Sequence, residues 1–222
     1  MQSGKATIRW LFSLSELKIM KIEKFSVAAN VRDKIKKIPR GRVFSIENIP
    51  ETCGNKKAIQ RSLSRLAQKG EIYRIRNGIY YKPLKNKYLK GRIVPPNVDE
   101  VLKVISRKYH EKIQLHGGAA ANKLGLSTQV PMFYVYYTSG VTRELDIAGI
   151  RVKLLHTSDI SLIKYAGTNT GLAIAALHYL GKELVSEAVV SKIRTNLSER
   201  EFQLLIKANL VKWMHESLVL QA

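Results

Sequence analysis

Between residues 27 and 38 apolar side chains recur at helical spacing, at Val27, Ala28, Val31, Ile35 and Ile38, with Ser26 standing where an N-cap belongs. The run predicts a helix that Pro39-Arg40-Gly41 stops. Val43-Phe44 reads as a short extended piece. Ser45 is placed to cap a brief helix to Ile49, which Pro50 ends, and Cys53-Gly54 reads as a turn. Asn55 then caps the strongest pattern of the first half, a helix running to Gly70 with apolar positions at Ala58, Ile59, Leu63, Leu66 and Ala67. Ile72, Arg74 and Arg76 precede an Asn77-Gly78 pair, Ile79, Tyr80 and Tyr81 follow it, and Pro83 closes the second strand. Asn-Gly between β-prone runs predicts a hairpin, because both residues accept positive φ. Helix, short helix, turn, helix and basic hairpin over residues 26–83 is the order of a winged helix-turn-helix.

Residues 84–97 are basic, end in Pro95-Pro96 and read as a linker. A helix is predicted over 98–109 and a short Ala-rich one over 117–124. The aromatic and β-branched run 132–138 (MFYVYYT) predicts a buried strand. Residues 143–147 and 150–155 alternate around Ala148-Gly149 and predict a second hairpin. Helical patterns then fill 159–166, 169–180, 184–194 and 198–217. The expected fold is α+β: a winged helix-turn-helix at 26–83, a linker at 84–97, and a mixed α/β domain at 98–222 that ends in helices. Residues 1–25 read as an N-terminal arm, loosely amphipathic over 8–20, with Met20 a candidate natural start because the patterned region begins just after it.

Charge sharpens this picture. The 222 residues hold 38 Lys and Arg against 17 Asp and Glu, a formal net charge of +21. The excess is uneven: residues 1–95 hold 23 basic and 6 acidic side chains, a net of +17, and residues 96–222 hold 15 and 11, a net of +4. A cationic surplus on one module is the electrostatic footprint of a polyanion partner. The single cysteine, Cys53, excludes an intrachain disulfide and any zinc site built on several cysteines, and fits a cytoplasmic location. No apolar run approaches a membrane span, and no secretory cleavage pattern follows the arm, so no membrane partner is expected.

On the helix that starts after Asn55, about 100° per residue brings Lys57, Gln60, Arg61, Ser64 and Arg65 together, opposite Ile59, Leu63 and Leu66. These side chains suit the major groove. Arg bonds N7 and O6 of guanine, Gln bonds adenine, and Ser serves either. Lys56 and Lys57 stand in the first turn, where a recognition helix approaches base edges. Lys69, Arg74, Arg76 and Asn77 are better placed for phosphates or the minor groove beside a wing.

The spaced residues Pro39-Arg40-Gly41, Val43-Phe44, Gly54, Ala58-Ile59, Leu63, Arg65-Leu66, Gly70, Ile72, Arg74, Gly78, Tyr80 and Pro83 resemble the N-terminal winged helix of AbiEi-type antitoxin regulators. Residues 116–120 (HGGAA) and 124–131 (LGLSTQVP) are similar to the start of that group's second domain, and fit best the DUF6088 branch. The resemblance covers residues 30–180. It implies the antitoxin and transcriptional autorepressor of a type IV toxin-antitoxin operon, binding inverted repeats in its own promoter. It further implies a functional link to a nucleotidyltransferase toxin, made without a stable complex. A homodimer on DNA is expected, since operator two-fold symmetry mirrors protein symmetry.

Candidates for catalysis in the second half are His116, His156, His178 and His215 with Glu144, Asp146 and Asp159. No two histidines have metal-ligand spacing, and Ser127 and Ser139 lack a nucleophile elbow. Gly117-Gly118 is not followed by the Lys of a phosphate loop, and close packing at a helix start explains it equally. Tyr134, Tyr136 and Tyr137 read as core before they read as a base-stacking platform. The expectation is a protein without catalytic residues, cofactor or metal. A sequence-independent RNA- or ribosome-associated basic protein is the alternative reading, and a nuclease or transferase with a DNA-binding arm a third.

Overall fold

A computed structural model of the chain describes residues 26–85, 91 and 93–220. The arm at 1–25, Met20 included, and part of the 84–97 segment lie outside the described residues.

Helix α1 (Val27–Lys37) buries Val31 and Ile35. Strand β1 (Val43–Ser45) follows, then two single 3-10 turns at Ile46–Asn48 and Glu51–Cys53. The brief helix expected at 45–49 is thus a 3-10 turn only. Pro50 pushes Ile49 into extended backbone (φ −94°, ψ 117°), and the Asn48 side chain accepts both the N–H (2.8 Å) and the hydroxyl (3.2 Å) of Ser45. Helix α2 (Lys56–Gln68) starts on Asn55, whose Oδ1 accepts from the Ala58 amide at 2.8 Å. It stops at Gly70, φ +69°, with the Glu71 amide reaching back to Leu66 O and the Gly70 amide to Ala67 O, a Schellman closure.

Strands β2 (Tyr73–Arg76) and β3 (Ile79–Tyr81) form the expected hairpin, and β3 is central in a three-stranded antiparallel sheet ordered β1-β3-β2. The turn differs from the expected one. Only Gly78 adopts positive φ (+70°), and the ladder shifts register between Arg74 and Arg76, so an extra residue in β2 absorbs the twist that a second left-handed residue would have supplied. Val31, Ile35, Phe44, Ile59, Leu63, Leu66, Ile72 and Tyr80 fill the core between helices and sheet.

The segment read as a linker contains a small ribbon: β4 (Leu84–Lys85) pairs antiparallel with β5 (Ile93–Val94), and the Tyr81 hydroxyl donates to Val94 O at 2.7 Å. Helix α3 (Val98–Tyr109) is capped by Asn97 and ends at His110 in the left-handed region. Strands β6 (Ile113–Leu115), β7 (Tyr134–Thr138), β8 (Arg143–Ile147) and β9 (Ile150–His156) form a sheet ordered β6-β7-β9-β8, in which only β7 and β9 run parallel. The strand expected at 132–138 is shorter and less buried than its composition suggested: Met132 and Phe133 precede it, 89% and 70% exposed, and Tyr134 also faces solvent.

The rest is helical: α4 (Gly117–Lys123), α5 (Ile160–Lys164), α6 (Asn169–Leu180), α7 (Glu187–Asn196), α8 (Glu199–Ile206) and α9 (Lys212–Val219). The single helix expected at 198–217 is two, broken at 207–211, so that Phe202 and Leu205 of one and Met214 and Leu218 of the other enter the same core. Helix α6 is the centre of that core and is buried all round over 170–177.

A third core joins the halves. Val98, Val101, Leu102 and Ile105 of α3 pack with Ile79 of the three-stranded sheet and with Tyr136, Leu145, Ile147, Val152 and Leu154 of the four-stranded one. Ion pairs bolt both ends of α3 to the first half, Arg42 to Glu100 at 2.7 Å and Lys108 to Glu47 at 3.2 Å. Among the described residues no helix is long and apolar enough to cross a membrane.

Candidate nucleic-acid interface

Helix α2 buries Ile59, Ser62, Leu63 and Leu66 and turns its other side outward. Lys56, Lys57, Gln60, Arg61 and Arg65 are exposed and Ser64 is half-buried. Lys57, Gln60, Arg61, Ser64, Arg65 and Gln68 line one shallow concavity. Gln68 was not among the candidates, although its position four residues after Ser64 and three after Arg65 puts it on the same face.

The electrostatics of this face are unusual. Helix α2 carries four cations and no acid, and two of the cations, Lys56 and Lys57, sit at the N-terminal end, where the helix dipole disfavours positive charge. Among the described residues none of the four is in an ion pair, while Arg32, Lys36, Arg42 and Lys108 of neighbouring elements all have carboxylate partners. Nothing in the packing of α2 requires those charges.

The hairpin candidates are placed less favourably. Lys69 ends α2 and is exposed. Arg74 Nη2 donates to Asn77 Oδ1 at 2.9 Å, tying the two across the bulge. Arg76 lines a groove with Glu144 and Asp146 of β8, whose carboxylates weaken its pull on a phosphate. The hairpin tip does not project freely: Gly78 O accepts from the Ile46 amide at 2.9 Å and from Lys108 Nζ at 3.4 Å. Lys82 has a structural post. Its Nζ donates to Ile35 O, Lys36 O and Ile38 O at 2.8, 2.9 and 2.6 Å, closing the C-terminus of α1.

The second-half candidates scatter. His178 Nε2 is 3.1 Å from Ser161 Oγ and 3.9 Å from Asp159 Oδ2, while Ser161 itself donates to Asp159 Oδ1 at 2.6 Å. A nucleophilic triad needs serine and carboxylate on opposite imidazole nitrogens. Here one nitrogen faces both, and Asp159 serves as the N-cap of α5. Burial opposes ionisation of Asp159, but the side-chain and backbone hydrogen bonds from Ser161 prevail and hold its carboxyl below the usual range. Burial pushes His178 below the ordinary imidazole range, against the smaller pull of Asp159, and burial alone does the same to His116. His116 caps α4 and lies against the rings of Tyr137 and Tyr179, at 4.8 and 6.3 Å. His156 Nδ1 meets Gly140 O at 2.7 Å, and Asp146 Oδ1 accepts from the Gly149 amide at 2.8 Å, a turn contact. Gly117 lets α4 approach α6: a Cβ there would lie 2.5 Å from Ala175 O and against the Tyr179 side chain. Among the described residues no group of three or more His, Cys, Asp or Glu could hold a metal ion.

The molecule is thus an α+β protein with a cationic helix face on its N-terminal half that has no ion pair among the described residues. It belongs to a family of unknown function, DUF6088, whose model matches residues 30–205. No curated protein matches the chain. Among solved structures it is similar to the RV2827C protein from Mycobacterium tuberculosis, at 14% identity and a TM-score of 0.43, over 88% of this chain and 82% of that one. A likeness at that level carries nothing over to this chain.

Proposed function

We propose that the chain is a sequence-specific DNA-binding transcriptional regulator whose residues 26–83 act as a winged helix-turn-helix with α2 as the recognition helix. The observation that carries the reading is the exposed face of α2: Lys56, Lys57, Arg61 and Arg65 without an acid partner among the described residues, interleaved with Gln60, Ser64 and Gln68. Arginine and glutamine on the outer face of a helix are groove-reading groups, and a cationic face with no acid partner among the described residues is suited to draw its counter-charge from a polyanion. Lys69 and Arg74 serve as phosphate contacts at the edge of that face. Arg76 and Asn77 contribute less, given the carboxylates beside the first and the pinned turn that holds the second.

The finer reading, antitoxin and autorepressor of a type IV operon acting as a dimer on promoter inverted repeats, is supported by the resemblance of the motifs at 39–83 and 116–131. The deciding experiment measures binding to duplexes from the gene's upstream region against random duplex and structured RNA. Changing Lys57, Arg61 and Arg65 together to Ala removes the preference for one site, weakening it about tenfold or more for each base that is no longer read. Wild-type site preference in that triple variant ends the proposal, and equal affinity for all three competitors favours a sequence-independent RNA-binding protein instead.

A further inference from the structure

Helix α3, strands β6 and β7, the last residue of α4, the turn at 166–167 and the start of α6 line an open cavity of about 340 Å³. Two kinds of surface meet in it. Lys103, Arg107, Lys112 and Lys123 supply four cations, none in an ion pair among the described residues. Leu102, Ile113, Leu115 and Leu172 supply an apolar part. Asp99, the only carboxylate among the described residues that line the cavity, already accepts the Tyr136 hydroxyl at 2.9 Å. Burial, and then Asp99, push that phenol above its usual range, so it stays a neutral donor.

A buried amide adds a polar group of defined direction. Gln114 is 1% exposed and lines the cavity. Its Oε1 accepts from the Gly167 amide at 3.0 Å, whereas Nε2 reaches Leu115 O only at 3.5 Å, the outer limit of a hydrogen bond. A buried amide with donor capacity to spare commonly completes its bonds through a bound polar group.

We propose that this cavity binds a small phosphorylated ligand of the mononucleotide class, its phosphates on Lys103, Arg107, Lys112 and Lys123 and its ring against Leu102, Leu115 and Leu172 beside the amide of Gln114. Cations of one sign around a partly apolar recess concentrate an anion more strongly than the same charges on an open face. The apolar wall asks for more than phosphate. The volume lies at the lower end of the range for small-molecule sites, about 300–1,000 Å³, which suits one nucleotide and not a longer chain. The position of the site also matters, a consequence that rests on the DNA-binding reading. Helix α3 lines the cavity with Leu102, Lys103, Ser106 and Arg107, and the same helix packs with Ile79 and bonds Glu47 and Gly78 through Lys108. A ligand on α3 is therefore in contact with the element that braces the hairpin.

The test uses the full chain without DNA, so its outcome is independent of the proposed function. ATP, GTP, CTP and UTP are titrated singly by calorimetry, beside inorganic triphosphate and a single-stranded oligonucleotide. At least one nucleotide should saturate at one per chain and bind about tenfold or more tightly than triphosphate. Lys103→Glu with Arg107→Glu should weaken it by about tenfold or more, and so should Ala166→Trp, which fills the cavity without changing charge. The triple α2 variant should bind it as wild type does. The proposal is overturned if no nucleotide binds, if triphosphate binds as well, or if the folded cavity variants keep wild-type affinity. An oligonucleotide that binds through Lys103 and Arg107 more tightly than any nucleotide overturns it too, because the cleft is then a strand track.

Discussion

Lys82 offers the cleanest separation of structural from functional charge. It lies in the basic first half, and a charge count would assign it to the polyanion. Its backbone is fixed by the sheet, with Gly41 N donating to Lys82 O at 2.8 Å and Lys82 N to Arg42 O at 3.0 Å, so a side-chain change leaves the strand in place. An ammonium has three donors, and all three are used on the last carbonyls of α1. Burial, with help from Arg40, pushes the amine below the usual lysine range, and the carbonyl oxygens offset that cost. Lys82→Met keeps the length and removes the charge. The Lys36 carbonyl is open to water, and the Ile35 carbonyl keeps the Ile38 amide at 3.2 Å, so the three bonds do not add. One charged hydrogen bond, about 1.5–3 kcal/mol, plus a helix-terminus contribution of about 0.3–1 kcal/mol gives a loss near 2–4 kcal/mol. For a chain of this size that lowers Tm by about 4–16 °C. The assay pairs a melting curve with the salt dependence of DNA binding. On the proposed DNA-binding reading, Lys82→Met should melt early and keep the wild-type salt slope, whereas removing a lysine on α2 that contacts a phosphate should reduce the slope by about 0.9. A variant that melts with wild type and loses salt slope refutes the assignment.

Gly117→Ala should cost about 1–3 kcal/mol, read as a fall in Tm, because the new methyl meets the Ala175 carbonyl oxygen, which cannot move aside; an unchanged Tm would return the glycine pair to candidacy as an anion loop. Acidification gives an independent check. His116 and His178 are held by burial below the ordinary imidazole value of 6.5, so below that pH the unfolded chain binds more protons than the folded one. Their contribution to stability is present in full above about pH 6.5 and is lost as the pH falls through and below that value, so Tm should drop between about pH 7.5 and pH 5.5. The double variant His116→Asn, His178→Gln should flatten that drop, and a wild-type Tm that stays level across the window contradicts the burial of both rings.

What the sequence disclosed follows from what is local. Helices near 98–109 and 169–180 are legible from their apolar spacing, and the structure bounds them at Val98–Tyr109 and Asn169–Leu180, each started by a side-chain cap, Asn97 or Thr168, and ended by a residue with positive φ, His110 or Gly181. The face of α2 was legible because helical geometry alone fixes which side chains share it. Long-range partners were not legible. Leu84–Lys85 and Ile93–Val94 are too short to show a period, and their pairing is supported by a bond from Tyr81. Met132 and Phe133 have core composition, yet only tertiary packing decides burial, and it leaves both outside. The pinning of Gly78 by Lys108, 30 residues away, turned a hairpin that reads as a free wing into a braced one.

The same distinction bears on the charge argument. A surplus of cations favours a polyanion partner, but does not say which side chains would meet it. Geometry sorts them: Arg32 joins Glu71, Arg42 joins Glu100, Lys108 joins Glu47, and Lys82 closes α1. Among the described cations of the first half that have no carboxylate partner, four stand together on α2, two of them at its N-terminal end against the preference of its own dipole. A charge that local stability disfavours and packing does not use needs another reason to be there, and functional sites are where such conflicts gather. In the second half the surplus is small, yet four of its cations line one cavity on the helix that braces the hairpin. Two cationic groups without ion pairs among the described residues, one on the outward face of α2 and one around a recess on α3, are therefore linked through the three-stranded sheet, on which both helices pack.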